Sequence, residues 1–359
     1  MGTKMRLLSL LAATILVAGV PAARLGDGSA GFELEASAQA QPAGLSETGF
    51  RAYLPRLRAE AQRAGVSRAT LDRVFPALTF SRRTVELDRA QPGGAPGSNA
   101  NPPFAPYRAR HLTPSLIARG RARYADNLSR LNAIGRRYGV PPSVLVAIWG
   151  KETSYGSIMG DFDLLNSLAS LAYEGRRRQL FTEEFIATLK MMDRGFPRAQ
   201  LTGSWAGATG QSQFLPSVYI RLAVDGDGDG RADIWRSQLD ALASIANYLR
   251  SAGWRPGIPW GTAVRVPAGF NRSAVANRLR SPRCPRVHER HSRWLTAAEW
   301  RARGVANGLP AATLASLLEP DGAGSTAYLL TTNYRTILDY NCSNFYALTV
   351  GLLADSVSR

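Results

Sequence analysis

Apolar residues along this chain recur mainly at intervals of three and four. Phe50, Tyr53, Leu54 and Leu57 share one helical face, as do Leu71, Val74 and Phe75, which predicts short helices across residues 46–90. Residues 91–103 break the pattern with Gln91-Pro92-Gly93-Gly94-Ala95-Pro96-Gly97, a turn-forming composition that predicts a loop. A long helical stretch over 114–138 leads into a helix opened by Val140-Pro141-Pro142-Ser143. Proline suits that first turn, where its missing N–H has no partner to lose. Val144, Leu145, Ile148 and Trp149 mark the helix's apolar face, and Glu152, four residues past Ile148, falls on it. Further helices are predicted over 181–192, 239–250 and 344–357. Between 254 and 323 Pro, Gly and Arg become frequent and 262–266 reads as a strand, so this stretch predicts a small mixed lobe. No internal repeat is visible.

A chain of 359 residues has room for two domains, or for one with substantial insertions. Its hydrophobic fraction of 45% excludes a disordered protein. Lys and Arg number 44 against 27 Asp and Glu, a formal charge of +17 that suggests an anionic partner. The excess is nearly all Arg and is scattered, as on a solvated basic surface, and no nucleic-acid-binding motif accompanies it. Nucleic acid is therefore not an expected partner.

The N-terminus narrows the compartment. Lys4 and Arg6 precede an apolar run over 7–20, then Pro21-Ala22-Ala23, the layout of a secretory signal peptide cleaved near Ala22, with the Ala38-Gln39-Ala40 stretch as the second choice. The run is short for a membrane span, and no Cys follows it to take a lipid, so a soluble periplasmic protein is expected. Residues 24–44 mix Gly, Ala, Ser and Gln without periodicity and read as a disordered tether. In an oxidising compartment the two cysteines, Cys284 and Cys342, favour one disulfide. The rival is a zinc site with His288 and His291, although their spacing matches no common pattern.

Three segments carry candidate chemistry. A carboxylate that ends an apolar stripe near the negative end of a helix dipole should have a raised pKa. Glu152 in Gly150-Lys151-Glu152-Thr153 meets that description, and a general acid working near neutrality needs it. The bland alternative is an exposed glutamate at a frayed helix end. The second segment, Gly203-Ser204-Trp205-Ala206-Gly207-Ala208-Thr209-Gly210-Gln211-Ser212-Gln213-Phe214-Leu215-Pro216, is dense enough in glycine for backbone to approach a ligand. Alone it reads first as an ordinary glycine-rich turn before a helix. In the third, Asp225, Asp227, Asp229 and Asp233 occupy positions 1, 3, 5 and 9 of an EF-hand calcium loop, with Gly230 at position 6 and Arg231 at the backbone-carbonyl position 7. Position 12 holds Arg236 in place of the bidentate Glu, and Asp240 is the candidate replacement.

These pieces, in this order, resemble the exported lytic murein transglycosylases of the membrane-bound transglycosylase B type. The matching segments are Gly139-Val140-Pro141-Pro142, Gly150-Lys151-Glu152-Thr153 and Ala169-Ser170-Leu171-Ala172-Tyr173 with the following arginines. They continue with 207–217, the Asp-rich loop, Ala246-Asn247-Tyr248, Tyr340-Asn341-Cys342-Ser343 and Tyr346-Ala347. The resemblance covers residues 46–357 and implies a mainly α (α+β) protein, with a lysozyme-like catalytic core, a helical N-terminal lobe and a small β-containing lobe. The expected division is a signal peptide at 1–22, a tether at 23–45, a helical lobe at 46–120, the core with its EF-hand-like loop at 121–255, a small lobe at 256–325, and a segment at 326–359 returning to the core.

By position, the resemblance makes Glu152 the single catalytic acid and base. Ser204 and Gln213 would line the groove, and Arg176 and Arg177 would meet peptide or carboxylate groups of the glycan. Tyr248, Tyr340, Asn341, Tyr346 and Tyr107 would contact sugar. For each tyrosine the plain alternative is a core aromatic with a satisfied hydroxyl. The resemblance implies no catalytic cofactor and a structural Ca2+ in the Asp-rich loop. Its expected partners are peptidoglycan strands and, beyond them, other cell-wall enzymes. Ordinary glycosidases need two carboxyls, and Asp161 and Asp163 are not placed by sequence to serve as the second. A transglycosylase instead uses the sugar's own C6 hydroxyl, closing a 1,6-anhydro ring with the benefit of effective molarity. A hydrolytic muramidase, a non-catalytic wall-binding protein and a calcium-dependent adhesin are the other readings of the same sequence. The last would normally carry several Asp loops.

Overall fold

Three serines begin the N-terminal helices by accepting the backbone N–H three residues on: Ser46 for α1 (Glu47–Arg63), Ser67 for α2 (Arg68–Val74) and Ser81 for α3 (Arg82–Arg89). The computed structural model describes residues 44–90 and 103–359. The expected signal peptide, nearly all of the tether and the loop over 91–102 lie outside the described residues.

The chain resumes with α4 (Phe104–His111), α5 (Pro114–Asp126), α6 (Leu128–Tyr138) and α7 (Pro142–Thr153). The helix expected across 114–138 is therefore two. Asn127 divides them because its amide donates to the Arg123 carbonyl, four residues back, and competes with the helical ladder. Its Oδ1 accepts from Gln238, fixing the break. In α7 every residue from Val144 to Gly150 is buried, not only the expected stripe, so this is an interior helix.

A two-residue strand, β1 (Phe162–Asp163), leads into α8 (Leu164–Glu174), which Asp163 caps, and then α9 (Arg178–Asp193). β2 (Thr202–Gly203) pairs antiparallel with β1 and opens the glycine-rich turn, which ends at α10 (Pro216–Leu222). After the Asp-rich loop comes α11 (Gln238–Ser251), capped by Ser237. Beyond it lie β3 (Gly261–Val264), α12 (Pro285–His288), β4 (Leu295–Thr296), α13 (Ala297–Ala302), β5 (Leu314–Leu318) and β6 (Ala327–Thr331). The four strands form one antiparallel sheet in the order β3-β6-β5-β4, so β6 is an inner strand. The chain closes with α14 (Thr332–Tyr340) and α15 (Asn344–Val357).

Apolar burial divides into three clusters. One gathers α4, α6, α7, α11, α14 and α15; a second gathers α1, α2, α8, α9 and α10; a third, around Trp300, fills the small sheet lobe. Trp300 is fully buried and its indole N–H is satisfied by the Ala315 carbonyl at 2.9 Å. Tyr248 and Tyr340 pack against both of the first two clusters and so mark their seam.

Cys284 and Cys342 are bonded to each other, with Cα atoms 5.6 Å apart. That removes the thiolates a zinc site would need. His291 instead meets Asn344 at 2.8 Å and Ser316 at 3.3 Å, and burial pushes it down to about 4 and His288 down to about 3. The bridge ties the segment before α12 to the turn between α14 and α15 across 58 residues. Closing a loop of that length restricts the unfolded chain, so replacing both cysteines with serine should lower unfolding stability by about 2–4 kcal/mol in a denaturant titration.

Candidate active site

Glu152 stands in the last turn of α7, and the structure surrounds it with aromatic side chains from elsewhere in the chain. Tyr346, on α15, donates its hydroxyl to Glu152 Oε1 at 2.5 Å. Tyr107, on α4, packs against Phe345 with ring centres 5.2 Å apart and tilted by 43°, and lies beneath the Lys151 ammonium, 5.1 Å from its ring centre. Burial pushes the Glu152 carboxyl up to about 7, while the Tyr346 bond and the Lys151 charge oppose that rise. Burial likewise pushes Lys151 down to about 8 and Tyr107 up to about 12. The cause is desolvation; the expected raised pKa is present, and the frayed-end alternative is not what the helix does. Of the nearby acids, Asp161 is exposed, and Asp163 caps α8 and pairs with Arg198 at 2.8 Å.

The backbone around Glu152 is shaped by close packing. Ser154 and Tyr155 follow α7 with φ of 53° and 64°, a left-handed conformation uncommon for non-glycine residues. Tyr155 folds back under its own helix, where a Cβ on Gly150 would lie 2.5 Å from its ring. Glycine at 150 is thus what lets the turn close beneath the carboxylate. The Tyr155 hydroxyl donates to the Leu116 carbonyl at 2.9 Å.

Gln211 joins the glycine-rich turn to α7. Its Oε1 accepts from the Trp149 indole at 3.0 Å, its carbonyl accepts from the Thr153 hydroxyl at 3.0 Å, and its amide donates to the Trp235 carbonyl at 3.2 Å. Ser204 caps its own turn, accepting from Ala208 N at 3.0 Å. Gln213 has φ of 50° and its amide donates to Met159 and Gly210 carbonyls, so both polar side chains brace backbone at the turn. The Ser212 hydroxyl and Asn341 Oδ1 are buried without a hydrogen-bond partner.

The tyrosines divide. Tyr340 donates to the Ser212 carbonyl at 2.5 Å and Tyr248 to the Asp339 carbonyl at 2.6 Å, so both hydroxyls are satisfied within the protein. Their rings meet edge-on, 4.7 Å apart, with Phe214 beside them. These two match the plain alternative for their hydroxyls, and only their rings are left to face a ligand. Tyr346 is buried, and its hydroxyl is spent on Glu152, where a sugar contact was expected.

Arg176 and Arg177 differ from expectation more sharply. Both guanidinium groups grip Asp88, which is fully buried, and Arg176 also reaches Glu174 at 3.3 Å. They neutralise a buried carboxylate of the protein itself.

In the Asp-rich loop the carboxylates of Asp225, Asp227 and Asp229 approach within 4.8 Å of one another. Asp240 does not join them. It is fully buried, with Oδ1 accepting from Gly226 and Asp227 N–H and Oδ2 from Asp233 N–H. It therefore organises the loop from within instead of supplying position 12. Asp233 likewise turns its Oδ1 to the N–H groups of Trp235 and Arg236, and Arg231 contributes no carboxylate of its own.

Sequence reasoning did not assign roles to Trp149, Lys151 and Phe345. Lys151 was detectable as the charged neighbour of Glu152; Phe345 carried no local signal. A folded-state pKa near 7 against an ordinary 4.5 means that folded Glu152 holds more protons between those values, so the protein loses stability as pH rises through that window. Glu152→Gln should therefore stabilise by about 1–3 kcal/mol at pH 8 and by nearly nothing at pH 4 in paired denaturation curves. Tyr346→Phe removes a bond that lowers the carboxyl, so the Glu152 titration followed by carbon NMR should move above the wild-type midpoint.

Residues 49–355 match the family described as the transglycosylase SLT domain. The chain is 32% identical over 297 residues to membrane-bound lytic murein transglycosylase B of Escherichia coli, covering 78% of this chain and 76% of that one. The crystal structure of Pseudomonas aeruginosa SltB3 in complex with NAG-anhNAM-pentapeptide superposes with a TM-score of 0.76 at 40% identity, over 86% of this chain and 79% of that chain. E. coli Slt35 in complex with calcium gives a TM-score of 0.68 at 28% identity, over 87% and 93% of the two chains. The matched segment takes in every element from α1 to most of α15, and the chain belongs to the transglycosylase SLT domain family as an enzyme of the lytic transglycosylase class.

Proposed function

We propose that this enzyme cleaves the MurNAc-β-1,4-GlcNAc bond of peptidoglycan and leaves 1,6-anhydro-MurNAc ends, with Glu152 as the only acid and base. The observation that supports this most is one carboxyl, pushed up to about 7, among tyrosines and a lysine and, among the described residues, without a second acid beside it. Near neutrality such a group is poised to give a proton and to take one back.

Oε1 of Glu152 accepts from Tyr346, so the acidic proton sits on Oε2. Glu152 passes it to the glycosidic oxygen as the bond from the MurNAc anomeric carbon breaks, and the leaving GlcNAc departs as an alcohol. The Tyr346 hydroxyl and the Lys151 ammonium stabilise the resulting carboxylate. The N-acetyl group of the same sugar stabilises the anomeric carbon. Glu152 then takes the proton of the C6 hydroxyl as that oxygen bonds to the anomeric carbon, restoring the acid. No water is consumed. Asn341 Oδ1 offers an unmatched acceptor for a sugar amide, and the rings of Tyr107, Tyr248 and Tyr340 suit sugar faces.

The fit for calcium rests on three hard oxygen donors that already converge. Asp225, Asp227 and Asp229, with the Arg231 carbonyl, would hold the ion, which would neutralise the cluster and stiffen the entry to α11. The N-terminal segment 1–22 would export the protein to the periplasm, as a soluble enzyme acting on glycan strands and alongside other cell-wall enzymes. No helix among the described residues is long and apolar enough to cross a membrane.

Digestion of purified peptidoglycan, with soluble products weighed by mass spectrometry, tests the chemistry. Products one water lighter than hydrolytic ones are expected, and Glu152→Gln should reduce their rate by at least about a hundredfold with folding retained. Hydrated ends would mean a muramidase on the same scaffold, and wall binding without products a binding protein. Calcium at a hundred times its dissociation constant should raise unfolding stability by about 2.7 kcal/mol. A double Asp225→Asn, Asp227→Asn variant should lose that response.

A further inference from the structure

Away from Glu152, a cleft of about 730 Å³ runs between α1 and α9. Its walls are two facing helical stripes, Arg56, Glu60 and Arg63 on α1 against Arg178, Thr182 and Glu183 on α9. Two polar atoms in this wall lack hydrogen-bond partners although they are shut off from solvent, Arg178 Nε and the Thr182 hydroxyl. Thr182 is only 6% exposed, and its hydroxyl does not make the bond to the carbonyl four residues back that a helical threonine can make. The hydroxyl of Tyr53 is a third such orphan, and the Arg178 guanidinium lies over that ring at 5.3 Å. The remaining charges are partly matched: Arg56 pairs with Glu60 at 3.0 Å, Arg63 turns to the Ala59 carbonyl at 3.3 Å, and Glu183 accepts from Gln179 at 3.0 Å.

We propose that this cleft binds the free carboxylate end of a short peptide, with Arg178 and Thr182 as its grip. Buried donors without acceptors are rare in folded proteins, and a carboxylate offers acceptors to both the guanidinium edge and the hydroxyl. Arg178 leaves the Tyr53 ring and the Tyr173 carbonyl, to which its Nη2 donates at 3.4 Å, to admit it, and its Nε–H and one terminal N–H then form the two-pronged pair that planar carboxylates favour. Glu60 and Glu183 at the rim meet the ammonium groups of the same peptide, and the volume suits a ligand of a few residues. Arg178 thus does what was expected of its two predecessors, which Asp88 already occupies. The peptidoglycan reading enters only as the source of the peptide, whose stems would anchor the enzyme to the wall at a second point.

The test is calorimetric titration of the folded protein with the free, sugar-less pentapeptide corresponding to that of the SltB3 ligand, and with its C-terminal amide. Wild type is expected to bind the acid about tenfold or more tightly than the amide. Arg178→Ala should abolish that preference, and Arg178→Lys, which keeps charge and packing but lacks the Nε–H, should reduce it in the same direction. Thr182→Val should weaken binding about threefold or more, and cleavage of peptide-free glycan should be unchanged in all three variants. Failure of wild type to bind, or binding indifferent to both Arg178 and Thr182, overturns the proposal. If peptide binding follows Arg178 while wild type releases no glycan product, the proposed reaction fails and this site stands.

Discussion

A single hydrogen bond between residues 194 positions apart, from Tyr346 to Glu152, is the constraint on which the site depends. It commits one oxygen of the carboxyl, Oε1, as the acceptor for the Tyr346 hydroxyl. Burial drives the same carboxyl towards neutrality, and Tyr346 and Lys151 pull against it. For the proposed reaction neither influence alone would suffice, since the carboxyl must both give a proton and take one back. Burial alone would lock the proton on, and full solvation would strip it near neutrality.

Holding that geometry requires α7 and α15 to meet in register, and the rest of the fold supplies the means. α7 is interior along its length, so its side chains cannot shift without opening voids. Gln211 then clips the end of α7 to the glycine-rich turn and, through Trp235, to the exit of the Asp-rich loop. The same loop is organised from within by Asp240, whose two oxygens hold three backbone N–H groups. The Asp-rich loop, the glycine-rich turn and α7 are therefore one connected hydrogen-bonded unit. The disulfide secures the other side, at the turn that carries Asn341 and begins α15.

Much of this was legible from sequence. The periodicity of apolar residues located α1, α2, α7, α9, α11 and α15, because a helix that packs on a core must repeat its apolar face every three or four residues. The glycines of 203–210 and the alternating aspartates marked their loops for equally local reasons. Even the raised pKa of Glu152 was readable, since a carboxylate placed on an apolar face loses water wherever that face is buried.

What sequence could not decide is which polar group each side chain meets. Arg176 and Arg177 looked free to bind a ligand's carboxylates until folding brought the buried Asp88 between them. Asp240 looked like the missing calcium ligand, yet its carboxylate is consumed by the loop's own backbone. Tyr346 looked like a sugar contact, and its hydroxyl is bonded to Glu152. The helical break at Asn127 likewise needed a rival hydrogen bond that propensity does not record. Periodicity is a property of neighbours along the chain and is written in it directly. The partner of a charge or hydroxyl is chosen by distance in space, and only the tertiary structure, which brings remote groups within hydrogen-bonding reach, made those choices.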